Sequence, residues 1–298
     1  MRYVLITPAY NEEHFLEATI QSVLNQTVLP RYWVLISDGS TDQTDAIMLN
    51  YARRFPFIHY IRNDRDPTHN FSSKVQAIAL GVYELRQVDY ELIGNLDADM
   101  ALEPDYYETL IRRFEQDTKL GIAGGKVYEK VRNLYTTYDH AESSVAGAIQ
   151  LFRRECFEQI GGYLPLRMGG EDSAAEIYAR MNGWKVEKYP EIKVYENRLT
   201  GHNNRSLIRT KFKQGQVFHS LGYHPLFLLI RSIRRLGDHP WVIGSCSVLA
   251  GYFQSHLSNR KILLDPHVVA FVRKEQMERL RNVFRKKNTQ DKLQTDSC

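Results

Sequence analysis

The stretch YELIGNLDADM, residues 90–100, decides how this chain is read. A strand-like run, Tyr90 to Ile93, leads into two aspartates one residue apart, Asp97 and Asp99. A divalent-cation site is one reason to end a strand this way. Chance is another, because a D-x-D arises about once in a chain of this length without any function. Asp64-Arg65-Asp66 is a second instance, so context has to separate them.

Outward from this stretch, apolar runs at 3–7, 33–37, 58–62, 90–95 and 121–127 read as strands, mostly short and bounded by polar turn residues. Helical periodicity fills the gaps at 12–25, 44–55 and 72–86, with Asn11 as an N-cap for the first and Pro104 opening a further helix to about residue 115. This alternation predicts an α/β fold with a doubly wound, mostly parallel sheet. Ligands of such sheets bind beyond the carboxyl ends of the strands. Four strand ends are polar there: Pro8 to Glu13, Asp38 to Asp42, Asn63 to Asp66, and Asp97 to Asp99. A single polar loop is ordinarily a turn or a cap; four on one edge favour a site. Alternate residues of an extended strand end point the same way, so Asp97 and Asp99 can converge on one cation. Arg65 neutralises its neighbours and Pro67 forces a turn, so the other D-x-D reads as a loop or a helix approach.

The four motifs in order resemble the family 2 glycosyltransferases, which have the A-type glycosyltransferase fold and use nucleotide-sugar donors. The residues that carry the likeness are Pro8-Ala9-Tyr10-Asn11-Glu12-Glu13, Asp38-Gly39-Ser40-Thr41-Asp42, Asp97-Ala98-Asp99 and Gly169-Gly170-Glu171-Asp172, with 148–166 similar to the acceptor-side segment. The likeness spans about residues 1–205. It implies that Pro8, Ala9, Tyr10 and Glu12 line the nucleotide pocket and that Asp38 accepts from the base. Asp99 would hold Mn²⁺ or Mg²⁺, Asp97 would touch the ribose or the metal shell, and His202 is a further candidate metal ligand. Asp172 would be the general base of a single inverting displacement, with Glu171 positioning the acceptor. A UDP-sugar is the implied donor. Two adjacent carboxylates can raise one another's pKa, which suits a base near neutrality. The segment 170–185 also reads as a helix with an acidic first turn and Gly183 as its stop, which is compatible with catalysis. Lys74 and Arg205 are candidates to contact the diphosphate, though a lone cation of this kind more often lies on solvated surface. The Q-x-x-R-W signature of processive members is missing, so one sugar per encounter is expected.

The chain has 298 residues, of which 43% are hydrophobic and 25% charged, ordinary for a globular protein. Its three cysteines are far apart and form neither a disulfide framework nor a zinc motif. Residues 1–202 carry 22 Lys and Arg against 29 Asp and Glu; residues 203–298 carry 17 against 6. The basic half should therefore face something anionic. Its segments at 224–237 and 239–257 combine apolar faces, arginines and aromatics, as in helices lying in a membrane interface, while helices packed on the core or in an oligomer remain the other reading. No run is long enough to span a bilayer, and no signal-peptide pattern opens the chain.

The expectation is thus a catalytic domain at 1–205, a helical membrane-associating or packing region at 206–287 and a disordered tail at 288–298. The enzyme expected is a hexosyltransferase at the cytoplasmic face of the membrane, acting on a lipid-linked or polysaccharide acceptor, with no nucleic-acid partner. The alternatives are a nucleotidyl- or phosphotransferase, against which stands the lack of a Gly-rich phosphate loop, and a non-catalytic scaffold of the same fold.

Overall fold

A computed structural model describes residues 1–64, 72–131, 134–137, 144–199, 204–237 and 241–295. The chain divides into two compact units, Met1–His202 and Asn203–Cys298.

Among the described residues, the first unit is built on a nine-stranded sheet. The strands are β1 (Tyr3–Ala9), β2 (Tyr32–Asp38), β3 (Ile58–Asn63), β4 (Leu92–Asn95), β5 (Met100–Leu102), β6 (Leu120–Val131), β7 (Leu134–Thr136), β8 (Leu151–Arg153) and β9 (Lys185–Leu199). The order is β3-β2-β1-β4-β8-β6-β9-β5, with β7 paired to β6. The first four strands are parallel. Then β8 runs antiparallel to both β4 and β6, β9 is parallel to β6, and β5 is antiparallel to β9. The sheet is therefore mixed rather than mostly parallel. The antiparallel strands β5 and β8 are three residues long, so neither stands out as a buried apolar run, and β9 alternates charged and apolar residues.

Helices α1 (Leu16–Leu24), α2 (Thr44–Arg54), α3 (Ser72–Glu84), α4 (Tyr106–Gln116), α5 (Arg154–Gln159) and α6 (Glu171–Met181) accompany the sheet. Trp33 at its centre is fully buried and donates to the Thr7 hydroxyl at 3.0 Å. Asn11 is not the N-cap of α1. It sits at φ 55°, its side chain accepts from the Thr41 N–H at 2.8 Å, and the helix begins after Phe15. The side chain is more useful tying two loops together than capping a helix that a further turn delays.

One tight turn, Gly147–Ile149, joins the strand that carries the D-x-D to α6. The Asp97 N–H donates to Ala148 O at 2.9 Å, and the Asn95 amide donates to Gly147 O at 2.6 Å. A Cβ on Gly147 would stand 2.8 Å from the Cβ of Asp172, so only glycine lets α6 come this close. Just before the turn, the Val145 N–H donates to Glu176 of α6 at 2.6 Å, and the Gln150 amide bridges Glu176 at 3.4 Å while accepting from Tyr163 at 2.7 Å.

The second unit contains α7 (Asn204–Ser220), α8 (Pro225–Arg234), α9 (Trp241–Leu257) and α10 (Pro266–Thr295). Helices α7 and α9 cross at glycines: a Cβ on Gly215 would lie 1.9 Å from Val248 O, and one on Gly251 1.9 Å from Phe212 O. Among the described residues no helix is long and apolar enough to cross a membrane. The backbone of α10 stays helical through Thr295, into the stretch read as an unstructured tail.

Two predictions follow from this packing. Gly251→Ala should destabilise the second unit by about 2–4 kcal/mol or force the helices apart; faster hydrogen exchange of the α7 and α9 amides is the readout, and unchanged exchange would contradict the crossing. Burial pushes the Glu176 carboxyl up to about 7, with Arg180 and the Val145 N–H opposing. Because this folded value is raised, the contribution to stability is complete below about pH 4.5 and is lost as pH rises through about 7, by up to ~3 kcal/mol. Denaturant titrations should show that slope flattened in Glu176→Gln.

Candidate active site

The loops that follow β1 and β2 are stitched to each other by side chains that short polar residues supply. The Asn11 N–H donates to Ser40 Oγ at 3.2 Å, the Glu12 N–H to Thr44 Oγ1 at 2.8 Å and the Glu13 N–H to Asp42 at 3.1 Å. In return the Gln43 N–H donates to Glu13 at 3.0 Å, and Asp42 also accepts the Thr44 N–H at 3.0 Å near the start of α2. These bonds fix one wall of an open pocket of about 520 Å³ at the carboxyl ends of the parallel strands. Pro8, Ala9, Tyr10, Glu12, Asp38, Lys74, Asp97, Ala98 and Asp99 line it. All the sequence-nominated nucleotide residues and Asp99 are thus brought to one cavity. Asp38 is 5% exposed and accepts from the Asn63 amide at 2.9 Å; Tyr10, at 41%, presents its ring to solvent.

The carboxylates of the D-x-D are held by two cations that the sequence did not single out as their partners. Lys74 Nζ lies 2.6 Å from Asp97 Oδ1. Burial works against the Lys74 ammonium, but Asp97 outweighs it and Glu171 and Asp172 add to the effect, so its pKa is raised. Lys74 is therefore part of the site rather than solvated surface. Arg198, near the end of β9, donates Nε to Asp99 Oδ2 at 2.8 Å and Nη2 to both oxygens of Glu12. Nothing in the sequence marks it, because β9 alternates charged and apolar residues and does not stand out as a strand. Backbone pairing of Met100 with Glu196 and an Asn197 N–H bond to Asp99 O at 2.8 Å bring that strand end to the D-x-D.

Negative charge outweighs positive here. Burial, only partly countered by Arg198, pushes the Glu12 carboxyl up to about 7. Burial, then Asp99, pushes Glu196 up to about 8. The Asp99 carboxyl is also raised, chiefly by burial. Among the described residues no group of three His, Cys, Asp or Glu is poised to hold a metal. The described donor set nevertheless fits a hard divalent cation: carboxylate oxygens in a site with surplus anionic charge, where two carboxylates and substrate phosphates suffice. His202 and Arg65-Asp66 lie outside the described residues. Asp64 is outside the pocket, with its exposed side chain against Arg62 at 3.2 Å.

Glu171 and Asp172 are not in the pocket lining, yet they stand beside it. They form the first turn of α6, after Gly170 at φ 93°. Asp172 packs on Gly147, whose carbonyl takes the same Asn95 amide that donates to Asp97 Oδ1 at 3.2 Å. Asp172 Oδ1 accepts from the Ser173 N–H at 2.7 Å. Glu171 is raised by burial and then by Asp172, and its Oε2 is buried without a hydrogen-bond partner among the described residues. An orphaned buried carboxylate oxygen needs a donor to complete it. The arrangement can bind a charged ligand in the pocket and accept a proton from a hydroxyl at its edge.

Comparison with known proteins places these features in a family. The profile described as Glycosyl transferase family 2 matches residues 4–169. Chondroitin synthase of Escherichia coli is 30% identical over 127 residues, 43% of this chain and 17% of that protein. Poly-beta-1,6-N-acetyl-D-glucosamine synthase of Staphylococcus aureus (strain COL) is 24% identical over 203 residues, 61% of this chain and 46% of that protein. The chain thus spans less than half the length of these relatives. Among solved structures, a mannosyltransferase, PcManGT, from Pyrobaculum calidifontis in complex with GDP-Man and Mn²⁺ is similar in fold. It has TM-score 0.56 and 16% identity, with 97% of this chain and 83% of that one covered. S. aureus TarS 1-349 in complex with UDP-GlcNAc has TM-score 0.55 and 14% identity, with 87% and 73% covered. With its four motifs converging on one strand edge and the profile covering more than half its length, the chain belongs to glycosyl transferase family 2.

Proposed function

We propose that the chain is a metal-assisted, inverting glycosyltransferase. It moves a hexosyl group from a nucleoside-diphosphate sugar, a UDP-sugar by preference, to a hydroxyl of a lipid-linked or polysaccharide acceptor. One observation carries the reading: a single pocket gathers Pro8, Ala9, Tyr10, Glu12, Asp38, Asp97 and Asp99, with Glu171 and Asp172 at its edge. The donors named in the two similar structures, GDP-Man and UDP-GlcNAc, support a nucleotide sugar. The synthases among the relatives support a polysaccharide product.

In this reading Asp38, oriented by Asn63, accepts from the base, and the exposed Tyr10 ring stacks on it. Asp99 and Asp97, with His202 as a further ligand, would hold Mn²⁺ or Mg²⁺, which supplies positive charge against the leaving diphosphate. Arg198 and Lys74 hold the two aspartates until the donor arrives. Asp172 takes the proton of the acceptor hydroxyl as that oxygen attacks, and Glu171, with its unpartnered oxygen, accepts a second hydroxyl of the acceptor and orients it. One sugar is added per encounter. Residues 1–205 form the catalytic domain. The basic region at 206–287 carries the enzyme on the inner face of the membrane, where the exposed apolar residues of α8 and α9 lie in the interface.

Asp172→Asn should lower nucleoside-diphosphate release from a panel of UDP- and GDP-sugars by about 10²–10⁴-fold, while the thermal shift caused by the nucleotide stays. Unchanged turnover would remove Asp172 from the role of base. Release of pyrophosphate instead of a nucleoside diphosphate would favour nucleotidyl transfer.

A further inference from the structure

The carboxylates around the D-x-D are already engaged. Both oxygens of Glu12 accept from Arg198 Nη2, and Asp99 Oδ2 accepts from its Nε at 2.8 Å. Both oxygens of Asp97 are held by Lys74 Nζ, Oδ1 at 2.6 Å and Oδ2 at 2.8 Å. A hard divalent cation binds such oxygens directly. A cation that takes Asp97 and Asp99 together therefore competes with at least one of these two side chains.

The two are not held alike. Lys74 has further anions to stay with, because Glu171 and Asp172 favour its charge as well as Asp97. Its side chain is also less exposed than that of Arg198, 31% against 43%. Arg198 is the last residue but one of β9, and its ion pairs to Glu12 and Asp99 lie within the pocket lining. Its guanidinium stands 5.1 Å from the Phe15 ring centroid, an uncharged support that does not depend on Asp99. A guanidinium that leaves a carboxylate fits a phosphate equally well, since both offer paired oxygens to its fork. The diphosphate of a donor brings such oxygens to this pocket.

We propose that Arg198 is an exchangeable internal cation, which gives up Asp99 when the divalent ion binds and passes its guanidinium to the diphosphate of the donor. The inference rests on the metal-assisted reading above and adds to it the residue that couples the two ligands. Without the donor, the ion gains Asp99 only at the expense of an ion pair of the protein. With the donor, that ion pair is replaced rather than lost. Each ligand therefore strengthens the other, by the same factor in both directions.

The test measures Mn²⁺ binding to the full chain from the electron paramagnetic resonance signal of the free ion, alone and with UDP or GDP. In the natural chain the better nucleotide should tighten Mn²⁺ by about tenfold or more, an ordinary size for such coupling. In Arg198→Gln, Mn²⁺ alone should bind about tenfold tighter than in the natural chain, and the gain from the nucleotide should shrink to about threefold or less. Lys74→Gln removes the same charge from the same pocket, and there the gain should stay near tenfold. Because Arg198→Gln could disturb folding, Arg198→Lys is the further variant. It keeps the charge but offers a single ammonium in place of the fork, so Mn²⁺ alone should tighten by about threefold and the gain should fall. Unchanged values of both in Arg198→Lys would overturn the exchange. Equal changes in Arg198→Gln and Lys74→Gln would reduce the effect to the general field of the pocket and overturn it too. Weaker Mn²⁺ binding in Arg198→Gln, with and without nucleotide, would mean that the guanidinium only orients Asp99. Mn²⁺ that binds the natural chain equally well with and without nucleotide would also remove the exchange, leaving the metal site. Absence of Mn²⁺ binding under every condition would overturn the metal-assisted reading itself.

Discussion

The hydrogen bond from the Asp97 N–H to Ala148 O, at 2.9 Å, is the joint on which the catalytic unit depends. It extends the short ladder between β4 and β8 past the end of the strand and fixes the D-x-D against the turn at Gly147. The same turn receives Asp172 on its bare Cα, and Glu176 holds the segment before it. Two acid pairs 75 residues apart in sequence, Asp97 and Asp172 among them, are thereby set at one cleft without touching each other directly. A side chain at residue 147 would separate them.

Once these carboxylates are assembled, charge becomes the governing problem. Glu12, Asp97, Asp99 and Glu196 crowd around Arg198 and Lys74, and burial with mutual repulsion raises Glu12, Asp99 and Glu196. Two monovalent side chains do not neutralise four carboxylates. A divalent cation would lower that repulsion, and the diphosphate of a donor would in turn complete the cation's ligands.

Much of the parallel half of the sheet was legible in the sequence, because β1 and β2 are nearly continuous apolar runs flanked by polar turns and β3 alternates Ile58, Tyr60 and Ile61 with polar residues. The pocket was legible too, since strand ends are where parallel sheets place ligands. The antiparallel strand β8 was not, because Leu151-Phe152-Arg153 is too short to show a period and is defined by its partners β4 and β6. Arg198 was hidden for a related reason. Its strand alternates Lys, Glu and Tyr with Val and Ile, and only the pairing of β9 with β5 and β6 delivers the guanidinium to Asp99. Lys74 read as surface because a lone lysine near a helix start carries no signal until Asp97 is placed opposite it. Gly147 shows its purpose only through the side chain it faces.

The most direct test of the central claim, that the D-x-D cleft is a metal-dependent nucleotide site, is a thermal-shift titration with UDP and GDP, with and without Mn²⁺, on the natural chain and on Asp99→Asn. Saturation near 100-fold over Kd stabilises by ~2.7 kcal/mol, which corresponds to a rise of about 5–10 °C in Tm. The account predicts that rise for at least one nucleotide in the presence of Mn²⁺, with most of it lost in Asp99→Asn. A nucleotide effect that is indifferent both to Mn²⁺ and to Asp99, or no stabilisation by either nucleotide, would contradict it.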